Sequence, residues 1–156
     1  MKITALIGRI LFSLMFLQAV GFHFTDAAVG YAASAGVPFA NVLVPVSGIM
    51  ALVGGLSILL GYKAKVGAWL IVFFLLPVTF FMHAFWQETD PAQYQQQYTM
   101  FFKNMAMLGG AFLITYFGAG PLSLDYRKGK EYTSDKIIKR IERKQREHEH
   151  AMLPLS

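Results

Sequence analysis

Four long apolar stretches limit what this chain can fold into. They cover residues 3–24, 42–61, 66–86 and 99–119. An α-helix rises about 1.5 Å per residue, so each stretch is long enough to cross a bilayer core of about 30 Å. Their apolar residues run unbroken instead of forming one stripe, which indicates contact with lipid on most faces. The sequence therefore predicts an all-α integral membrane protein, folded as an antiparallel four-helix bundle.

The charged residues between the stretches predict the topology. The first and third connections carry Asp26, Glu88 and Asp90 but no Lys or Arg, whereas the second carries Lys63 and Lys65. Because basic residues concentrate on the cytoplasmic side of a membrane, we expect both termini and the second connection in the cytoplasm. Short extracytoplasmic interfacial helices are expected on the other side, at residues 27–41 and 91–98.

The chain divides into a membrane domain, residues 1–125, and a basic cytoplasmic tail, residues 126–156. Nine of the 14 Lys and Arg residues lie between positions 127 and 146. The tail predicts a cytoplasmic C-terminal helix over residues 133–150 whose charge attracts membrane lipids of negative charge. It has no aromatic interleaving and no recognition motif, so nucleic acid is not an expected partner.

The chain contains no cysteine. It therefore cannot by itself carry thiol–disulfide exchange, an iron–sulfur cluster, a covalently attached c-type haem or a thiolate zinc site. Any redox role must use a bound cofactor, a quinone or a partner protein.

Arg9 is an ionisable residue inside the first stretch, and such residues are costly in a membrane. It lies about two helical turns from the predicted cytoplasmic side, and Asp125 follows the fourth stretch at the same level. Because a buried cation needs a partner, we expect a structural ion pair between Arg9 and Asp125 that ties the first helix to the fourth.

A second group of polar residues lies near the opposite side. His83, Trp86 and Gln87 are spaced to share one face of the third helix, and Lys103 and Asn104 lie about one turn into the fourth. The candidate ligand-binding residues are His83, Trp86, Lys103, Asn104, His23 and Gln18. The alternative is that Trp86 is a plain interfacial anchor and that His23 lies among the lipid headgroups. No metal site is expected, and haem is disfavoured because no second histidine pair or motif supports it.

Several short segments resemble one family of membrane proteins. They are Gly8-Arg9, Gly21-Phe22-His23, Gly36-Val37-Pro38, His83-Ala84-Phe85-Trp86, Lys103-Asn104 and the run from Gly118 to Asp125. In this order and spacing, over residues 6–125, they resemble the DoxX-like four-helix proteins. The resemblance implies a bacterial inner-membrane protein that serves as the membrane subunit of a respiratory or redox system. It also implies quinone binding, with His83 and Lys103 hydrogen-bonding a carbonyl or anion and Trp86 packing on a ring.

Two other functions remain open from the sequence. One is a non-catalytic membrane scaffold or assembly factor that holds a partner protein, which the lack of cysteine and of metal or nucleotide motifs favours. The other, a small-solute transporter, has less support because no charged pathway crosses the membrane centre. Small residues at four-residue spacing, Ser47, Ala51 and Gly55, permit close helix packing within the bundle or in a homodimer.

Overall fold

A computed structural model describes the backbone of residues 2–152 and the side chains of residues 2–130 and 132–146. Within residues 2–152 every regular element is helical. The helices are α1 (Lys2–Leu17), α2 (Asp26–Ser34), α3 (Ala40–Leu60), α4 (Ala64–Met82), α5 (Pro91–Phe117) and α6 (Leu124–Met152). Two 3-10 turns, Val20–Phe24 and Phe85–Gln87, follow α1 and α4.

Four helical segments are long and apolar enough to cross a membrane, as the sequence predicts. They are Lys2–Phe24, Ala40–Leu60, Ala64–Gln87 and Pro91–Phe117. The first and third contain a helix and the 3-10 turn that follows it, so neither is one unbroken α-helix. The all-helical class and the number of membrane-length segments are therefore confirmed.

Helices α1, α3, α4 and α5 pack around the larger of two apolar core clusters, and α2 and α3 form the smaller one. Helix α3 packs against α1 and α4, and α4 packs against α5. The α3–α4 crossing is close because glycines face each other: a Cβ on Gly54 would lie 2.9 Å from the carbonyl oxygen of Gly67. Ile58, Ile71 and Leu75 are buried beside this crossing. The small residues of α3 thus serve packing inside the molecule.

Helix α2 packs against the start of α3. Its first turn is capped by Thr25, whose hydroxyl accepts a hydrogen bond from the Ala28 backbone N–H at 3.2 Å. Small side chains at Ala28 and Ala32 are buried and allow close contact with Val44 of α3. The helix predicted between residues 27 and 41 is present, and it covers one end of the space between α3 and α4.

Helix α5 begins where the sequence predicts. A short extracytoplasmic helix was expected to start at Pro91 and lead into the fourth stretch, and the structure has one continuous helix from Pro91 to Phe117. The start is as expected, because the Asp90 carboxylate accepts a bond from the Gln93 N–H at 2.9 Å and Pro91 fits the first turn. No glycine or proline then interrupts residues 92–108, so nothing in the sequence ends the helix before it reaches the apolar stretch.

The molecule has two unlike ends. We call the end that carries Lys2, the α3–α4 turn at residues 61–63 and the start of α6 the basic end. We call the other end, formed by α2 and the connection between α4 and α5, the loop end. Helix α6 extends from the basic end and exposes Ile137, Ile138 and Ile141, each by more than half of its surface.

Candidate functional site

A cavity of about 230 Å³ lies at the loop end, between α2, α3 and the last turns of α4. We call it the loop cavity. Its walls are mostly apolar and include Val44, Pro77 and Met82, with Tyr31 and Ser47 as polar members. The cavity exists because α2 bridges from the 3-10 turn after α1 to α3, with its alanines against α3.

A second cavity of about 170 Å³ lies nearer the middle of the bundle. We call it the central cavity, because residues of α1, α3, α4 and α5 all line it. Phe16, Ala51 and Leu75 form apolar walls, and Lys103 and Asn104 line it from α5. His23, Val78 and His83 line both cavities. The two histidines therefore stand at the boundary between an apolar chamber and a more polar one.

His23 is held rigidly at this boundary. It lies in the 3-10 turn Val20–Phe24, and its Nδ1 is 2.9 Å from the Ala19 carbonyl oxygen. Its ring centroid is 5.7 Å from that of Phe74. A Cβ added to Gly48 of α3 would lie 2.6 Å from the Cβ of His23, so this turn can sit where it does only because position 48 has no side chain.

His83 is held by a chain of side-chain hydrogen bonds that the sequence did not suggest. Its Nδ1 is 2.8 Å from Oε1 of Gln97, and Nε2 of Gln97 donates to the Tyr31 hydroxyl at 3.3 Å. Gln97 belongs to α5 and is buried, with 9% of its surface exposed. The chain links α2, α5 and the end of α4, and it fixes the orientation of the His83 ring.

Asn104 is the most unusual residue of the central cavity. It is 4% exposed, and its amide makes no hydrogen bond to any of the described residues. The amide is not among the fully enclosed polar atoms that lack a partner, so its polar atoms reach the surface of the cavity. Lys103, its neighbour, places Nζ 2.9 Å from the Met100 sulfur, a weak acceptor for an ammonium group. The cavity therefore contains hydrogen-bonding capacity that the protein itself does not use.

Two of the six candidate residues lie outside this arrangement. Trp86 is about half exposed and packs on Phe85 and Phe101, because α4 ends at Met82 and Trp86 sits in the separate turn that follows. The expected shared face of His83 and Trp86 is therefore wrong. Gln18 is exposed, and its Nε2 lies 3.6 Å from the Met15 sulfur. The cavities bring together His23, His83, Lys103 and Asn104.

The predicted ion pair at the basic end is not among the contacts of the described side chains. The Arg9 guanidinium instead donates to the carbonyl oxygens of Ala119 at 3.0 Å and Leu122 at 2.9 Å. The Asp125 carboxylate accepts from the backbone N–H groups of Lys63 at 2.9 Å and Ala64 at 3.0 Å, which are free at the start of α4. Both residues tie helix ends together, but each does so through the backbone.

Four membrane-length segments define a multi-pass membrane protein, and between them lie two adjoining, mainly apolar cavities with a few polar groups. The model of the SURF4 family matches residues 2–132, and the chain belongs to that family. This finding overturns the DoxX assignment. The segments behind that assignment are short, and some of them serve turns here, such as Gly36 and Gly118, which have positive φ.

Two curated relatives illustrate the range of the family. The chain is similar to the inner membrane protein YphA of Escherichia coli (strain K12), with 29% identity over 130 residues that cover 80% of this chain and 90% of the relative. It is also similar to the Surfeit locus protein 4 homolog of Schizosaccharomyces pombe, with 26% identity over 124 residues. That match covers 79% of this chain but 37% of the relative. No solved structure matches the chain.

Proposed function

We propose that this SURF4-family protein is a multi-pass inner-membrane protein that binds a small amphiphilic molecule in its two adjoining cavities. The inner-membrane location is supported by the likeness to YphA. We further propose an antiparallel bundle with both termini and the α3–α4 turn in the cytoplasm, because Lys63 and Lys65 lie at the basic end and the loop end carries neither Lys nor Arg in its connections.

The unpartnered amide of Asn104 is the observation that carries the binding proposal. Asn104 is 4% exposed and lines the central cavity, and none of the described residues hydrogen-bonds its amide, so a bound group can complete those hydrogen bonds. The cavity is apolar apart from a few polar groups at one place, which is the usual composition of a small-molecule site. The site would hold the polar head of a ligand beside Asn104 and His23, and its apolar part in the loop cavity.

The size of the cavities limits the ligand. At about 230 Å³ the loop cavity exceeds the volume of one water molecule, about 30 Å³, several times over. Each cavity is nevertheless smaller than the usual pocket for a drug-sized ligand, about 300–1,000 Å³. A short apolar chain or a single ring fits this space.

The redox part of the earlier interpretation has no remaining support. The quinone and the redox partner protein followed from the DoxX resemblance, which the family match replaces. The amide, ammonium and imidazole groups around the central cavity hydrogen-bond a ligand without any change in oxidation state, and binding is the function that their arrangement supports.

Native mass spectrometry of the protein released from nanodiscs of the host membrane's own lipids tests this proposal. We expect the wild-type chain to retain a small molecule, and the Asn104→Leu variant to lose it, because leucine fills similar space without hydrogen-bonding groups. Gln18→Leu is the matched control: it replaces an exposed amide outside the cavities and should retain the molecule. A wild-type chain that carries only another polypeptide would contradict the proposal and favour a scaffold.

A further inference from the structure

We propose, building on the function just described, that the ligand's head is an uncharged group that donates a hydrogen bond, and specifically a hydroxyl. The observation behind this inference is the fixed hydrogen-bonding role of the two histidines at the boundary of the cavities. The Nδ1 of His23 faces a backbone carbonyl, which can only accept, and the Nδ1 of His83 faces the amide oxygen of Gln97, so in each ring the remaining nitrogen is left to accept from a ligand.

The hydrogen bond of His23 determines which of its ring nitrogens carries the proton. The partner of its Nδ1 is the Ala19 carbonyl oxygen, at 2.9 Å. A carbonyl has no hydrogen to donate, so Nδ1 must carry the proton. In a neutral imidazole the other nitrogen, Nε2, then has a lone pair and no hydrogen. His23 lines both cavities, and the proposal assigns this acceptor to the binding site.

His83 repeats the arrangement with a side chain as partner. Oε1 of Gln97 is an amide oxygen and accepts from Nδ1 at 2.8 Å. In this orientation of the amide, its Nε2 donates to the Tyr31 hydroxyl. His83 also lines both cavities. The Ala19 carbonyl therefore sets Nε2 of His23 as an acceptor, and the Gln97 amide in this orientation does the same for His83.

The charges around the cavities favour neutral rings. The residues that line them include no Asp or Glu, so neither imidazolium would find a counter-ion there. Lys103 lines the central cavity and opposes a second positive charge nearby. The proposal therefore takes both rings as neutral, with Nε2 as the acceptor.

These groups discriminate between possible head groups. A carbonyl or ether oxygen can only accept, so it would meet the two Nε2 lone pairs without a hydrogen between them. An ammonium head would be repelled by Lys103. A hydroxyl donates to Nε2 of a histidine and at the same time accepts from the Asn104 amide or from Lys103. Of these heads only the hydroxyl satisfies both kinds of group, whether it belongs to a simple alcohol or to a glycerol-type lipid.

Photolabelling with matched probes tests this inference. The probes are a ten-carbon alcohol that carries a diazirine, its methyl ether and the corresponding carboxylic acid, each applied at equal concentration to the full chain in nanodiscs. Labelled positions are then read by peptide mass spectrometry. We expect the alcohol to label the cavity walls, such as Met82 and Met107, about tenfold more than the ether, which has the same body and no donor.

Two variants connect the preference to the histidines. His23→Phe and His83→Phe keep an aromatic ring and remove the acceptor, so each should lower the alcohol-to-ether ratio towards one while labelling by the ether persists. Persistent ether labelling also shows that the variant is folded. Gln18→Leu, outside the cavities, should leave the ratio unchanged.

The outcomes separate this inference from the proposed function. Equal labelling of the walls by alcohol and ether would overturn the hydroxyl preference and leave ligand binding in place. Stronger labelling by the acid would also overturn it and would assign the head to Lys103 as an anion site. No labelling of the walls by any probe would contradict the proposed function itself. A preference for the alcohol that both phenylalanine variants abolish would support the inference.

Discussion

The two ends of the molecule treat buried polar groups in opposite ways. At the basic end Arg9 is 5% exposed and donates to two backbone carbonyls. Towards the loop end, in the central cavity, Asn104 is 4% exposed and makes no hydrogen bond within the described part of the chain. Equal burial therefore has unequal consequences: the first residue stabilises the fold, and the second leaves hydrogen-bonding capacity facing a cavity.

At the basic end, Arg9 and Asp125 connect the ends of neighbouring helices, and we call these two residues the clasp. Arg9 binds the carbonyls that follow α5, and Asp125 binds the free N–H groups that begin α4. Lys65 adds a bond from Nζ to the Tyr116 carbonyl oxygen at 2.8 Å. Among the described side chains, Arg9 Nε and Ser13 Oγ are the buried polar atoms left without a partner. Most of the polar atoms here are therefore committed to other parts of the protein.

Towards the loop end some polar side chains are hydrogen-bonded within the protein and others are not. His23 and His83 are each fixed through Nδ1, while Asn104 is not fixed by any described neighbour. A buried polar group with a partner usually serves structure, whereas one that faces a cavity is a candidate for binding. The contrast between the ends thus identifies the loop end as the place to test for a ligand.

The largest expected effect of a single substitution is at the basic end. Arg9→Met keeps an apolar stem of similar length and removes the donors to Ala119 and Leu122. We expect a loss of about 3 kcal/mol in the free energy of unfolding, because two charge-assisted bonds are lost and two carbonyls are left buried. Thermal unfolding in mild detergent measures this loss. An unchanged melting temperature would show that the clasp does not stabilise the fold.

A substitution beneath His23 should affect the loop end selectively. Gly48→Ala places a Cβ that would lie 2.6 Å from the Cβ of His23, so the 3-10 turn must shift. We expect a loss of about 1–3 kcal/mol in stability from overpacking, together with weaker labelling by the alcohol probe. Gly109→Ala is the matched control, since no atom lies within 4 Å of a Cβ there. Equal behaviour of the two variants would refute the close fit of His23 on α3.

The smallest expected effect concerns the second residue of the clasp. Asp125→Asn keeps one oxygen acceptor and removes the charge that faces the start of α4. We expect a loss of about 1 kcal/mol, the usual contribution of a capping carboxylate at a helix N-terminus. Chemical unfolding of the two proteins side by side measures it. A loss as large as that of Arg9→Met would indicate a direct ion pair, as the sequence alone suggests.

The membrane segments could be predicted from the sequence because their signal is length and hydropathy, which need no knowledge of packing. The turn at His83 could not. The chain stays apolar through Trp86, and no glycine follows Met82 to mark the end of α4. Because α4 ends at Met82 without a signal in the sequence, Trp86 lies outside the expected site and His83 lies at its edge.

The partners of the site residues were hidden for a different reason. Gln97 is the last of three consecutive glutamines, and only the rotation of α5 decides which of them faces His83. Arg9 was paired with the one carboxylate at its level, whereas its actual partners are backbone carbonyls, which every residue has. Helix rotation and backbone position are tertiary facts, so the candidate list could name His23, His83, Lys103 and Asn104 but not what holds them.

If the basic end stabilises the fold and the other end binds a ligand, one measurement distinguishes them directly. Native mass spectrometry gives the amount of ligand retained per folded chain in Asn104→Leu and in Arg9→Met, at a temperature where both variants are folded. We predict that Asn104→Leu is empty although it is at least as stable as the wild type, because an unpaired buried amide has been removed. We predict that Arg9→Met is occupied although it is less stable. If Asn104→Leu retains the ligand and Arg9→Met loses it, ligand occupancy depends on stability, and this result would contradict the proposal.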